Sequence, residues 1–61
     1  MTDLSKNVLS VLKSIETKRI SENVLLGKFN INEINVALEE LETLGYIYID
    51  NQYVTRVIEL R

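Results

Sequence analysis

Residues 31–47 constrain the fold of this chain more than any other stretch. Their apolar side chains recur three and four positions apart, which places them on one face of a helix. The stripe consists of Ile34, Ala37, Leu38, Leu41 and Leu44. Asn32 is the predicted N-cap, and Gly45 supplies the left-handed residue of a Schellman stop. The stretch therefore predicts an amphipathic helix that ends at a glycine and leads into a strand.

The opposite face of this helix is polar and acidic. Between residues 32 and 43 the chain has four glutamates and no lysine or arginine. Val36 is the apolar exception on this face. With Asn32 as N-cap, Ile31 and Val36 have the spacing of a hydrophobic staple, which accounts for Val36 more simply than contact with a partner does. Both interpretations of Val36 stay open at this point.

The residue inventory excludes most enzyme chemistry. The chain has no cysteine and no histidine, so disulfides, Cys/His zinc sites, thiol nucleophiles and histidine bases are ruled out. Adjacent glutamates on an exposed helix are usually a solvated face rather than an acid/base pair. We therefore expect no catalytic activity, no metal site and no cofactor.

Length and net charge limit the classes of protein to which the chain can belong. Sixty-one residues form one domain, residues 1–61, close to the smallest size that folds without a staple, so a homodimer that adds buried area is expected. The net charge of -2 is opposite in sign to that of a dedicated nucleic-acid binder. No apolar run is long enough to span a membrane and no secretory signal opens the chain. We expect a soluble cytoplasmic protein.

Two further helices are predicted before residue 31. Apolar residues at helical spacing indicate helix one over residues 4–15, with Thr2 or Asp3 as its cap. Ile20 stands alone between polar neighbours, as a single β-bridge residue would. Ser21 is the predicted N-cap of a short second helix that runs to about Lys28.

A β-hairpin is predicted after the glycine. Residues 46–49 and 53–58 are rich in β-branched and aromatic residues and flank a polar segment. A two-residue turn at residues 50–51 would set Tyr48 opposite Tyr53 and Ile47 opposite Val54. Ile47 and Val54 would then face the core. The three tyrosines would share the outer face. The tail beyond Val54 is either covered by helix one or pairs with another chain at an exposed edge.

The order of these elements resembles that of winged helix-turn-helix domains. Residues 20–25 (ISENVL) look like the start of that family's second helix, and residues 29–32 (FNIN) look like its turn into the recognition helix. Residues 38–47 (LEELETLGYI) resemble the family's Leu-x-x-Leu-x-x-x-Gly-(aromatic or Leu)-Ile ending. The resemblance implies an α+β fold with three helices, a two-stranded hairpin wing and a short bridge strand near Ile20.

The resemblance also implies a DNA-binding regulatory protein that acts as a dimer. In such domains the third helix enters the major groove and the wing touches the backbone. Carried over by position, the base-reading residues would be Asn32, Glu33, Asn35, Val36 and Glu39. Lys18, Arg19 and Lys28 flank the second helix and could meet backbone phosphates, and Arg56 is the cation of the strand region. The nucleic-acid-binding candidates are therefore Lys18, Arg19, Lys28, Asn32, Asn35 and Arg56. The expected partner on this interpretation is double-stranded DNA.

The acidic face of the third helix supports a second hypothesis. A winged helix can serve as a protein-interaction module in a transcription or replication assembly, with charge complementarity to a basic protein in place of phosphate contact. The partner-binding candidates are then Glu33, Val36, Glu39 and Glu40. Neither hypothesis involves a membrane or a small-molecule cofactor.

Overall fold

The computed structural model describes residues 1–52 and 54–61, which form an α+β fold. In chain order the elements are helix α1 (Asp3–Ser14), strand β1 (Arg19–Ser21), the 3₁₀ helix η1 (Glu22–Gly27), helix α2 (Ile31–Thr43), strand β2 (Ile47–Asp50) and strand β3 (Val57–Leu60). The described residues thus contain two α-helices and one 3₁₀ helix, where three helices were predicted. No helix among them is long and apolar enough to cross a membrane.

The second helix is a 3₁₀ helix because it is short and has one fully buried apolar side chain. Ser21 caps it as predicted, its side chain accepting a hydrogen bond from the Asn23 N–H. Leu25 is fully buried, whereas Val24 and Leu26 on either side are about half exposed. A segment of this length gains little from the wider α-helical turn, and short connectors commonly adopt the tighter 3₁₀ geometry.

The sheet has three antiparallel strands in the order β1-β3-β2, so the last strand is the central one. Ile58 of β3 lies opposite Ile20 on one side and Ile49 on the other. The predicted single bridge at Ile20 is therefore a strand of three residues. The tail pairs on both sides within its own chain, so the predicted alternative in which it pairs with another chain at an exposed edge is wrong. Ile58 is buried in the same core cluster as Val8 and Leu12 of α1, which is consistent with the other alternative, cover by helix one.

The hairpin register also differs from the prediction. Ile47 pairs with Leu60, so residues 51–56 form a longer connection in place of a two-residue turn. Val54, predicted to face the core opposite Ile47, is fully exposed. The physical reason is the row of isoleucines across the sheet, in which Ile58 is completely buried between Ile20 and Ile49. The predicted pairing of Tyr48 with Tyr53 falls on Tyr53, which lies outside the described residues.

The N-cap of helix α2 lies two residues before the predicted one. Asn30, not Asn32, is the N-cap: its side-chain oxygen accepts from the Glu33 N–H at 2.8 Å, and the Glu33 carboxylate accepts from the Asn30 N–H at 3.0 Å. This reciprocal pair is a capping box. With the cap at Asn30, a staple would join positions 29 and 34, so the predicted staple between Ile31 and Val36 is wrong. Both of those side chains are exposed.

Helix α2 ends as the sequence predicts. Gly45 has φ +84, the Gly45 N–H donates to the Glu42 carbonyl, and the Tyr46 N–H donates to the Leu41 carbonyl. These are the two hydrogen bonds of a Schellman motif. Leu44 is the C-cap and is about half exposed. The prediction that it belongs to the buried stripe is therefore wrong.

The core lies between the two α-helices and the inner face of the sheet. Helix α1 is capped by Thr2, one of its two predicted caps, and Leu9 lies at the core edge with only slight exposure. The fully buried large side chains are Val8, Leu12, Leu25, Ile34, Leu38, Leu41, Ile47 and Ile58. This packing leaves the outer face of α2, residues 51, 52 and 54 of the β2–β3 connection and much of the outer face of the sheet exposed.

Candidate interaction surface

The outer face of helix α2 is exposed to solvent and takes no part in the core. Asn32, Val36, Glu39 and Thr43 lie along its centre and are all exposed. Asn35 and Glu42 lie on the flank that faces the β2–β3 connection, where Glu42 accepts a hydrogen bond from the Ile49 N–H at 3.1 Å. This bond occupies a donor on an edge strand, which leaves less of that edge open to pairing with another strand.

Two of the four predicted partner-binding residues hold the fold together instead. Glu33 completes the capping box of α2. Glu40 accepts hydrogen bonds from the backbone N–H of Thr2 at 2.9 Å and from its hydroxyl at 3.1 Å, which joins α2 to the start of α1. Hydrogen bonds from Ser5 and Thr2 lower the pKa of Glu40. Val36 and Glu39, the other two candidates, are exposed and remain available for contact.

Arg56 lies beside α2, but its charge is already neutralised within the chain. Its Nε and backbone N–H donate to Glu22 Oε2 at 2.8 and 2.7 Å, and its Nη2 donates to Glu22 Oε1 at 3.0 Å. The same Nη2 also donates to the Asn35 side-chain oxygen. The side-chain hydrogen bonds from Arg56 lower the pKa of Glu22 despite its burial, and the bonded carboxylate raises the pKa of Arg56.

Arg19 and Lys18 belong to a different surface. Ile20 points into the core, so its strand neighbour Arg19 projects from the outer face of the sheet. There Arg19 contacts Asp50 at 3.0 Å and Glu59 at 2.9 Å, and Lys18 lies 3.7 Å from Glu59. Hydrogen bonding to Asp50 raises the pKa of Arg19, and the Asp50 pKa is lowered by the Gln52 N–H and by Arg19.

The six predicted nucleic-acid-binding residues are therefore not brought together. Asn32, Asn35 and Arg56 lie on or beside α2, whereas Lys18 and Arg19 lie on the far face of the sheet. Lys28 follows η1 and is exposed, without an ion pair in the part of the chain that the structure describes. Arg56 contacts α2 through Asn35, and it would have to leave Glu22 before it could bind a phosphate beside this helix.

A groove separates α2 from the β2–β3 connection. This groove has a volume of about 260 Å³ and is lined by Asn35, Glu39, Glu42, Ile49, Asn51 and Arg56. The predicted candidates contain only three of these residues. Glu42 was recognisable as part of the polar face from helical spacing, but the positions of Ile49 and Asn51 depend on the hairpin register, which the sequence pattern did not give.

No group of acidic residues able to hold a metal ion is found among residues 1–52 and 54–61. Comparisons with protein-family models, with curated proteins and with solved structures find no match to this chain.

Proposed function

We propose that the chain is a winged helix-turn-helix domain that works as a protein-interaction module, with the outer face of α2 binding a basic segment of a partner. The observation that carries this proposal is the state of the charges around α2. Glu39 is exposed and forms no ion pair within the described residues, whereas the neighbouring Arg56 is held by Glu22 and Asn35. The face therefore presents negative charge to solvent.

The order of the elements supports the winged-helix assignment. Helix η1 and helix α2 are separated by residues 28–30 only, and α2 is followed directly by the β2–β3 hairpin with its six-residue connection at 51–56. On this assignment, α2 corresponds to the recognition helix of a winged-helix domain, and the connection at 51–56 corresponds to its wing. The fold hosts many functions, so the surface chemistry decides between them.

A basic partner would find complementary groups on this face. Lysine or arginine side chains of the partner would pair with Glu39 and Glu42, and an apolar side chain would cover Val36. Exposed ion pairs contribute about 0.2–1 kcal/mol each, so several contacts are needed and the complex is expected to be weak and sensitive to salt.

Duplex DNA is the second candidate partner. The exposure of Asn32 and Asn35 on α2 favours it, since asparagine can bond an adenine edge in two places. DNA docking would bring phosphates toward Glu39 and Glu42, which adds repulsion that no unpaired cation on α2 offsets. A basic protein segment avoids this repulsion, so we rank it first.

Parallel binding assays with two labelled probes test the proposal. Fluorescence anisotropy would follow an oligolysine peptide and a mixed-sequence DNA duplex as protein is added at several salt concentrations. We expect the peptide to bind at low salt and the duplex to show no binding. Saturable binding of the duplex with no binding of the peptide would overturn the proposal in favour of DNA.

A matched pair of variants locates the binding. Glu39→Gln removes one charge from the α2 face, and Glu16→Gln removes one charge from an exposed position after α1. We expect Glu39→Gln to weaken peptide binding about two- to fivefold, as the loss of one exposed ion pair would. Glu16→Gln should leave it unchanged. Equal effects of the two variants would mean that net charge, and not the α2 face, attracts the peptide.

A further inference from the structure

Two grooves of opposite charge meet where helix α1 begins. The basic groove, about 250 Å³, is lined by Met1, Lys6, Leu9, Ser10 and Lys13. The acidic groove, about 460 Å³, is lined by Met1, Val36, Glu39, Glu40, Thr43 and Leu44. They share Met1, and the hydrogen bonds of Thr2 to Glu40 hold the two helices together at this junction. The grooves are therefore neighbours on one face of the molecule.

The charges of these grooves are not neutralised within the chain. Lys6 and Lys13 are exposed and form no ion pair with any described residue, and the same holds for Glu39. The other face of the molecule differs, since Lys18 and Arg19 on the outer face of the sheet are both paired with carboxylates. The α1–α2 face thus has a positive half and a negative half side by side.

The acidic groove also exposes apolar side chains. Met1, Val36 and Leu44 are 46%, 59% and 52% exposed, and they line the same groove. Val36 is not used as a helix staple, because the N-cap of α2 is Asn30. Burial of these side chains against a partner would be favourable, because apolar surface would be removed from water.

From this arrangement we infer that the α1–α2 face binds a second copy of this chain. A two-fold axis that lies in the interface and passes near Met1 places the basic groove of each copy on the acidic groove of the other. An interface of this kind is self-complementary, as a closed dimer requires. Lys6 and Lys13 of one copy then face Glu39 of its partner, and both halves of the interface gain the same contacts.

The size of the face sets the strength of this association. Helices of this length extend about 20 Å, and two of them side by side are about 20 Å wide. The footprint of roughly 400 Å² per copy is smaller than the roughly 800 Å² of a standard interface. The dimer is therefore weak and forms at high protein concentration. It goes beyond the proposed binding of a basic partner, since it depends on the lysines of α1.

Charge exchange between the two helices tests the inference by sedimentation velocity over a rising concentration series. Lys6→Glu/Lys13→Glu makes both halves of the face acidic, and Glu39→Lys/Thr43→Lys makes the acidic half basic. Each variant alone is expected to dimerise about tenfold more weakly or not at all, because like charges then face each other. An equimolar mixture of the two variants is expected to recover the dimer, since opposite charges meet again in both halves.

A control variant separates the effect of this face from the effect of net charge. Lys28→Glu/Arg61→Glu changes the net charge as much as the α1 variant does but lies off this face, and it should dimerise like the unmodified chain. The inference is overturned if the unmodified chain stays monomeric at every concentration, if the mixture does not recover the dimer, or if the control loses it equally. If oligolysine still binds α2 in that case, the proposed function stands while the dimer falls.

Discussion

Replacement of Glu22 by glutamine is expected to destabilise the domain by a large fraction of its total stability. Glu22 accepts three hydrogen bonds from Arg56, and the two side chains are 11% and 27% exposed. Removing one partner of a fully buried ion pair costs about 3–5 kcal/mol. Arg56 keeps some solvent and the Asn35 oxygen, and glutamine keeps one acceptor, so the expected loss is about 2 kcal/mol.

This loss is measurable because a chain of this length has little stability in reserve. At about 0.05–0.15 kcal/mol per residue, the free energy of unfolding of the whole domain is about 3–9 kcal/mol. One kcal/mol moves the Tm of so small a domain by about 4–8 °C, so Glu22→Gln should lower it by about 8–16 °C. Thermal unfolding followed by far-UV circular dichroism at neutral pH gives the value, with Glu16→Gln as an exposed control that should not change the Tm.

The pH dependence of stability provides a second measurement of the same pair. Hydrogen bonds from Arg56 hold the pKa of Glu22 below its ordinary value of 4.5 in the folded chain. A carboxylate with a lowered folded pKa contributes stability above its unfolded pKa, and the contribution is lost as the pH falls through the folded pKa. The difference in stability between the unmodified chain and Glu22→Gln should therefore shrink below pH 4.5. A Tm within about 2 °C of the unmodified chain, together with parallel pH profiles, would refute this reasoning.

Two further pairs of substitutions test the ends of helix α2. Asn30→Ala should cost about 1 kcal/mol through loss of the N-cap, whereas Asn32→Ala should change stability by less than about 0.5 kcal/mol. Urea unfolding measures the free energy of unfolding of both variants. A larger loss of stability for Asn32→Ala than for Asn30→Ala would mean that Asn32, and not Asn30, is the N-cap. Gly45→Ala should cost about 1–2 kcal/mol, because its φ of +84 is strained for any residue with a Cβ. Gly27→Ala, which meets open space and has no positive φ, should cost less, and similar losses for both would exclude strain as the cause.

Local features of α2 could be predicted from the sequence because neighbouring residues create them. The buried stripe from Ile34 to Leu41 follows from helical spacing, and the stop follows from a glycine placed just past it. The N-cap was missed by two residues although its chemistry is equally local. Asn30 and Asn32 are both good caps, and only Asn30 has a glutamate three positions later to complete a capping box.

The hairpin register could not be predicted because it depends on a strand distant in sequence. Residues 50–51 suit a tight turn, and the pattern of residues 46–54 is consistent with one. That register would leave Ile58 beyond the hairpin. In the structure β1 pairs with β3, so Ile20, Ile58 and Ile49 form one row across the sheet and bury their side chains together. The burial of this row outweighs the local preference of the turn.

The distribution of charge over the surface could not be predicted either. The sequence has nearly equal numbers of acidic and basic residues, but the structure separates the two signs of charge in space. Arg56 pairs with Glu22 across 34 positions and Arg19 pairs with Asp50 across 31, so residues that look like free cations in the sequence are already paired. Among residues 1–52 and 54–61, the charged residues without an ion pair include Lys6 and Lys13 on α1, Lys28 after η1 and Glu39 on α2. Recognition depends on charge that is still available to a partner. Fewer of the seven basic residues are therefore available to DNA than their number suggests, which supports the proposal of a protein partner.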